Sequence, residues 1–132
     1  MLFTKKSEYA MLALVAIAKS EVPINTDQLS AELNIPKSFL AKILQKLAKS
    51  DILDSFKGIK GGFIIKKQCE DITILEITQI VEEKEPAVFE CTANNKICFS
   101  NTCEECSIFP ILNNLQVKIN TFLQNLTLKD IL

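Results

Sequence analysis

Four cysteines, Cys91, Cys98, Cys103 and Cys106, fall in one short stretch with the spacing C-x6-C-x4-C-x2-C. Their neighbours are polar, among them Asn94, Asn95, Asn101 and Glu104. A cysteine inside a core behaves as a small hydrophobe, but a polar loop offers no core to enter. Thiolates are soft ligands for zinc, copper(I) and iron-sulfur clusters, and in a reducing cytosol such a group points to metal or redox chemistry before structural disulfides. Zinc fingers usually supply two close pairs, whereas only Cys103 and Cys106 form one here, and wide uneven spacings suit the larger girth of a cluster. An iron-sulfur cluster, a zinc ion and a cluster-free thiol switch all stay open on these residues alone. The fifth cysteine, Cys69, stands apart. The chain has no histidine, which removes imidazole ligation, histidine general bases and Cys-His nucleophiles. No catalytic residue is expected, and the chain does not read as an enzyme.

Lysine placement carries the second chemistry. The net charge of -1 hides a split at Lys67: eleven lysines against six acids up to that residue, and four against ten after it. The first half is therefore a candidate for polyanions, unless its lysines merely solvate a surface. All fifteen cationic side chains are lysine. Bidentate guanine reading by arginine is thus absent, and lysine must take its place.

The elements that position these residues follow from periodicity. Ala10, Leu12, Ala13, Leu14, Val15 and Ile17 surround a helix from Thr4 to Lys19, which predicts burial on several sides. Asn25 or Thr26 can cap a short helix carrying Leu29 and Leu33, which must stop before Pro36. Pro36 can open the next helix in its first turn, with Phe39, Leu40, Ile43, Leu44 and Leu47 buried through to Lys49. The opposite face holds Lys37, Ser38, Lys42, Gln45, Lys46 and Lys49, donors for phosphates and base edges at helical spacing. This pair predicts a helix-turn-helix with a recognition helix.

All three glycines fall in Lys57-Gly58-Ile59-Lys60-Gly61-Gly62-Phe63, between strand-like segments 52–56 and 63–67. A glycine-rich hairpin lined by Lys57 and Lys60 is predicted, built as a wing beside a DNA groove. As an enzymatic phosphate loop the same glycines fail, since neither the dinucleotide nor the P-loop spacing is met. Thr73 to Glu76 reads as a capping box that opens a helix ending near Glu85-Pro86. From Ile108 to Leu126, apolar residues recur at three- and four-residue steps, giving a long helix that needs a partner surface in its own domain or in a second subunit.

The fold class expected is mainly α with a small β wing: a winged helix-turn-helix domain over 1–85, a cysteine-rich loop over 86–107, and a dimerisation helix with a short C-terminal segment over 108–132. The longest apolar run, Ala10 to Ala18, is well short of the ~20 residues of a membrane span, so no membrane association and a cytoplasmic location are expected.

Taken nearly end to end, the chain resembles the IscR/NsrR family of bacterial winged-helix regulators, which also includes the cluster-free cysteine-metabolism regulator CymR. The resemblance rests on Ser7-Glu8-Tyr9-Ala10, the helix-turn-helix from Leu29 to Leu47, the wing, Ile72 to Ile77, the cysteine loop, and Asn125-Leu126-Thr127-Leu128. It implies a homodimer crossed by the long helix, with recognition helices in successive major grooves of a roughly palindromic DNA operator. It also implies a 2Fe-2S or 4Fe-4S cluster on Cys91, Cys98 and Cys103. The fourth ligand would be Cys106, which stands where one branch of the family places histidine, or Glu8, since other branches use an acidic residue near the N-terminus of the partner subunit. The middle cysteine is displaced by one position from the family's spacing.

The expected function is a DNA-binding regulator, a repressor, sensing iron-sulfur, redox or nitric oxide status. Lys42, Ser38 and Lys57 are expected near bases, and Lys37, Lys46, Lys49 and Lys60 on phosphates. The rival readings are a winged-helix regulator with a zinc or thiol switch, and a small iron-sulfur carrier that uses the fold as an interaction surface.

Overall fold

The computed structural model describes residues 3–89 and 106–132. Helix α1 spans Lys5–Lys19, with Thr4 as its N-cap accepting from the amide of Lys6 at 3.2 Å. Ala10, Ala13, Leu14 and Ile17 are buried, and the helix touches α2, α3, the wing, α4 and the C-terminal turn, as its all-round apolar pattern predicts. Helix α2 (Thr26–Leu33) takes Asn25 as its cap in a full capping box with Gln28. It ends at Asn34, whose left-handed φ of 55° suits asparagine better than a branched residue. Ser30 closes the turn: its carbonyl accepts from the amide of Ile35, and its hydroxyl donates to the carbonyl of Ile35 at 2.6 Å.

Helix α3 spans Lys37–Lys49. Pro36 precedes the helix as its N-cap, one residue earlier than the first-turn place expected, because its ψ of 128° is extended. Leu40, Ile43, Leu44 and Leu47 fill the core, and Phe39 meets Tyr9 of α1 edge-on with ring centroids 5.6 Å apart. Asp51, at φ 62°, turns the chain into the wing.

Strands β1 (Leu53–Phe56) and β2 (Gly62–Ile65) form one antiparallel hairpin, with Leu53 opposite Ile65 and Phe56 opposite Gly62. Ile24, before α2, pairs with Phe63 through reciprocal bonds of 2.8 and 3.2 Å. This seam fixes the wing against the helix-turn-helix. It requires Gly62, since a Cβ there would lie 2.4 to 2.7 Å from the backbone of Ile24 and Asn25.

Helix α4 covers Ile74–Glu82 and ends earlier than expected, at Glu83 with φ 58°. Only the Thr73 half of the expected capping box is seen, with Thr73 accepting from the Glu76 amide at 3.0 Å. The Glu76 carboxylate instead accepts from Lys67 at 2.8 and 3.0 Å, because a cation across the wing competes with the helix start. Helix α5 runs Phe109–Asn125, with Pro110 in its first turn. The chain then returns to the start of α4: the amide of Ile74 donates to the carbonyl of Leu126, and that of Leu128 to Ile72. Leu123 and Leu128 join the same core as α1, α3 and α4. The architecture is a mainly helical winged helix-turn-helix with a long terminal helix, as the periodicity predicts.

Candidate nucleic-acid interface and cysteine site

The face of α3 turned away from the core exposes Lys37, Ser38, Lys42, Gln45 and Lys49. The wing adds Lys57 and Lys60, also exposed. Burial of the Leu40–Leu47 stripe forces this outcome, since the helix has no other face on which its lysines can stand in water. Not all of the cations are free. Lys37 forms an ion pair with Asp27 in the first turn of α2 at 2.6 Å. Lys46 is half-buried and turned onto α4, donating to the carbonyl of Val81 at 3.4 Å with the Glu83 carboxylate also at 3.4 Å. On the far side of the wing, Lys66 joins Asp51 at 3.0 Å, and hydrogen bonding to that carboxylate holds its ammonium pKa above the ordinary value. Among the described residues, Lys42, Lys49, Lys57 and Lys60 make no ion pair.

Of the proposed ligands, Cys91, Cys98 and Cys103 lie outside the described residues. Cys106 is partly buried just before α5, and its carbonyl accepts from the Phe109 amide at 3.3 Å. Glu8 is exposed on α1 and paired with Lys5 at 2.9 Å; the hydrogen bond to Glu8 raises the Lys5 pKa. Among the described residues, no three acidic or cysteine side chains converge to hold a metal.

Two residues not singled out from sequence join distant parts of the chain. Gln116 of α5 is buried; its Oε1 accepts from the Val88 amide at 2.8 Å, and its Nε2 donates to the Pro86 carbonyl at 2.7 Å. It thereby holds the chain at Pro86 and Val88, just before the cysteine segment. The signal was present: an amide four residues after Leu112 and three before Ile119 interrupts an apolar stripe. Glu82, the last residue of α4, accepts from the hydroxyls of Thr4 and Ser7 at the start of α1, the latter at 2.9 Å. Burial pushes its carboxyl pKa up, but these two hydrogen bonds and the nearby Lys6 and Lys84 outweigh it and hold the group below its ordinary value. No spacing in the sequence connects residues so far apart.

The profile of the Rrf2 family, described as iron-dependent transcriptional regulators, matches residues 3–132. The chain belongs to the Rrf2 family. It is 26% identical over 133 residues to an HTH-type transcriptional regulator of Aquifex aeolicus, covering 100% of this chain and 92% of that one. It is 26% identical to the HTH-type regulator IscR of Pectobacterium atrosepticum, covering 99% and 79%. Among solved structures it is similar to CymR, the global cysteine regulator of B. subtilis, with a TM-score of 0.74, 17% identity, and coverage of 98% and 94%. At that identity the likeness speaks for the fold alone. As an Rrf2 member the chain is a transcriptional regulator of a DNA-binding family and not an enzyme, so the reading from missing histidine and unmatched glycine spacings agrees with its relatives. Among its described residues, no helix is long and apolar enough to cross a membrane.

Proposed function

We propose that this Rrf2 protein is a cytoplasmic homodimer that represses transcription from a roughly palindromic operator, and that a cluster held by its cysteine loop sets its affinity for DNA. The carrying observation is the exposed row Ser38, Lys42 and Lys49 on α3, continued by Lys57 and Lys60 on a wing that the Ile24–Phe63 seam holds in place. Two such surfaces, one per protomer, match a two-fold operator. Lys42, Ser38 and Lys57 are assigned to bases, and Lys49 and Lys60, with Lys37, to phosphates. Ile108, Ile111, Leu115 and Phe122 supply the dimer contact: they recur at helical spacing from the N-cap of α5 along the helix and are 42 to 69% exposed, while Leu123 is buried.

The proposed ligands are Cys91, Cys98 and Cys103, with Cys106 or the Glu8 of the partner subunit as the fourth. Four thiolates fit an iron-sulfur cluster by ligand softness, and a relative named IscR supports that class. A bound cluster would supply a group whose gain, loss, oxidation or nitrosylation changes local charge and geometry. The chain couples that change to DNA through Gln116 and the end of α4. A coupling of about 1 to 3 kcal/mol changes affinity roughly 5- to 150-fold.

The test is iron and acid-labile sulfide per subunit on anaerobically purified protein, followed by operator titration of cluster-bound and apo forms at matched salt. Near-stoichiometric iron and sulfide with unequal affinities support the reading; equal affinities defeat it. The second reading is a zinc or thiol switch on the same cysteines, whose thiolates are soft ligands for zinc as well as for a cluster. Zinc, or thiols that oxidise reversibly without iron, would select it.

A further inference from the structure

The wing ends in a turn closed by the amide of Gly61, which donates to the carbonyl of Gly58 at 3.0 Å, so Ile59 and Lys60 occupy its two corners. Gly58, at φ 102°, supplies the backbone conformation that the turn demands. Turn corners usually take glycine, asparagine, aspartate or proline. Here one corner is a β-branched hydrophobe with 102% relative exposure, the most exposed large apolar side chain described.

A lone exposed apolar residue is ordinary on a protein surface. Ile59 differs in its setting. Its flanks are the unpaired Lys57 and Lys60, and across an open groove of about 380 Å³ stands Val22, itself 65% exposed. The remaining walls of that groove include Pro23, Asn25 and Gln28 from the segment leading into α2. An apolar point framed by cations and amides matches the edge of a nucleic-acid strand, where sugars and base edges lie between phosphates. The point is also held in place, since the Gly62 backbone is locked against Ile24 and Asn25.

We propose that Ile59 is the specificity-determining contact of the wing, an apolar wedge seated in the DNA minor groove beside the major groove that receives α3. The inference rests on the DNA-binding reading above and deepens it. Lys60 holds the neighbouring phosphate and Lys57 reaches toward the adjacent base, while Ile59 meets the groove floor. A·T pairs present only acceptors there, whereas G·C pairs add the guanine amino group, a donor that an apolar side chain would desolvate without compensation. Ile59 therefore favours A·T at the step beneath it. Such wedges also prefer steps that unstack easily.

The test uses the full-length protein and a duplex selected by the wild type from a random pool, with each flanking A·T pair replaced in turn by G·C. Ile59→Ser and Ile59→Leu are compared with Lys60→Ala. Because Ile59 is wholly exposed, its replacement should leave the melting temperature unchanged, which a melting curve checks directly. Ile59→Ser is expected to lose about 10-fold in affinity for the selected duplex, with the slope of log K against log salt unchanged and the A·T preference at one flanking step abolished. Ile59→Leu should restore most of both, and Lys60→Ala should reduce the slope while keeping the preference. A wild type that binds no duplex in a salt-dependent way would overturn the DNA-binding reading, and this inference with it. A wild type that binds normally while Ile59→Ser shows the same affinity and the same A·T preference would overturn the wedge alone.

Discussion

The ammonium of Lys46, on the recognition helix, donates to the carbonyl of Val81 near the end of α4 at 3.4 Å and lies equally far from the carboxylate of Glu83. The last carbonyls of a helix lack internal partners and carry its negative dipole end, so a cation there satisfies both. The bond ties α3, the helix proposed to enter the DNA groove, to the end of α4. Lys46→Met should therefore leave the salt slope of DNA binding nearly unchanged, whereas Lys49→Met should lower it by about 1 per protomer. The Lys46 variant should instead narrow the affinity gap between cluster-bound and apo protein. Titrations over several salt concentrations measure both effects, and a full loss of slope at Lys46 would return it to the phosphate contacts.

Asp27 holds Lys37 at 2.6 Å beside the proposed DNA face, with both side chains mostly exposed. An exposed pair contributes roughly 0.2 to 1 kcal/mol, which must be given up or shared when a phosphate arrives. Asp27→Asn is expected to raise affinity for random duplex about 2- to 5-fold and to steepen its salt dependence. Affinity for the operator should rise by the same factor, leaving the specificity ratio constant. Parallel titrations of both duplexes check this; a change confined to the operator would mean that Asp27 reads sequence.

Gln116 satisfies the amide of Val88 and the carbonyl of Pro86, and its Nε2 also meets Asn120 at 2.9 Å. Leucine at this position matches the stripe but strands those backbone groups, at a cost of about 1 to 3 kcal/mol. Gln116→Leu should lower the melting temperature and speed loss of iron and sulfide under chelator, while Asn113→Ala, at an exposed position of the same helix outside the proposed dimer stripe, should leave chelator kinetics unchanged.

Glu82 supplies the pH dependence. Its carboxyl pKa sits below the ordinary 4.5, so the folded state favours the ionised form and gains stability above that value. This contribution is lost as pH falls through the lowered folded value. Glu82→Gln should be less stable than wild type by on the order of 1 kcal/mol at neutral pH. The difference should close below pH 4.5. Denaturant midpoints at several pH values read it out; a gap that persists in acid would mean that the hydroxyl contacts, not the charge, carry the stabilisation.

Local chemistry made most elements legible before any coordinates. The three-and-four spacing of Leu40, Ile43, Leu44 and Leu47 placed the buried stripe of α3 and hence its lysine face, and the clustered glycines placed the wing. Asn25 or Thr26, and the Thr73–Glu76 segment, marked helix starts, because capping is decided within four residues, and the structure selects Asn25 with Gln28. Helix ends were read less well: α4 stops at Glu82 because Glu83 takes a left-handed conformation that no breaker residue announces.

The choices between equivalent partners belonged to the tertiary structure. Lys37, Lys46 and Lys49 stand alike in the sequence, yet one meets Asp27, one meets the end of α4 and one faces solvent, since the packing of α3 between α2 and α4 brings acids and carbonyls near only two of them. The apolar residues of α5 were a single stripe in sequence. Packing against α4 buries Leu123 and partly buries Ile119, while Ile111, Leu115 and Phe122 stay bare, because a helix can press only one side on its own domain. The residue types and short spacings of this chain determine its helices and its basic face. Which lysine is free, which carboxylate takes the Thr4 and Ser7 hydroxyls and which glutamine holds the chain at Pro86 and Val88 depend on contacts between separate helices, and those are set only when the helices pack.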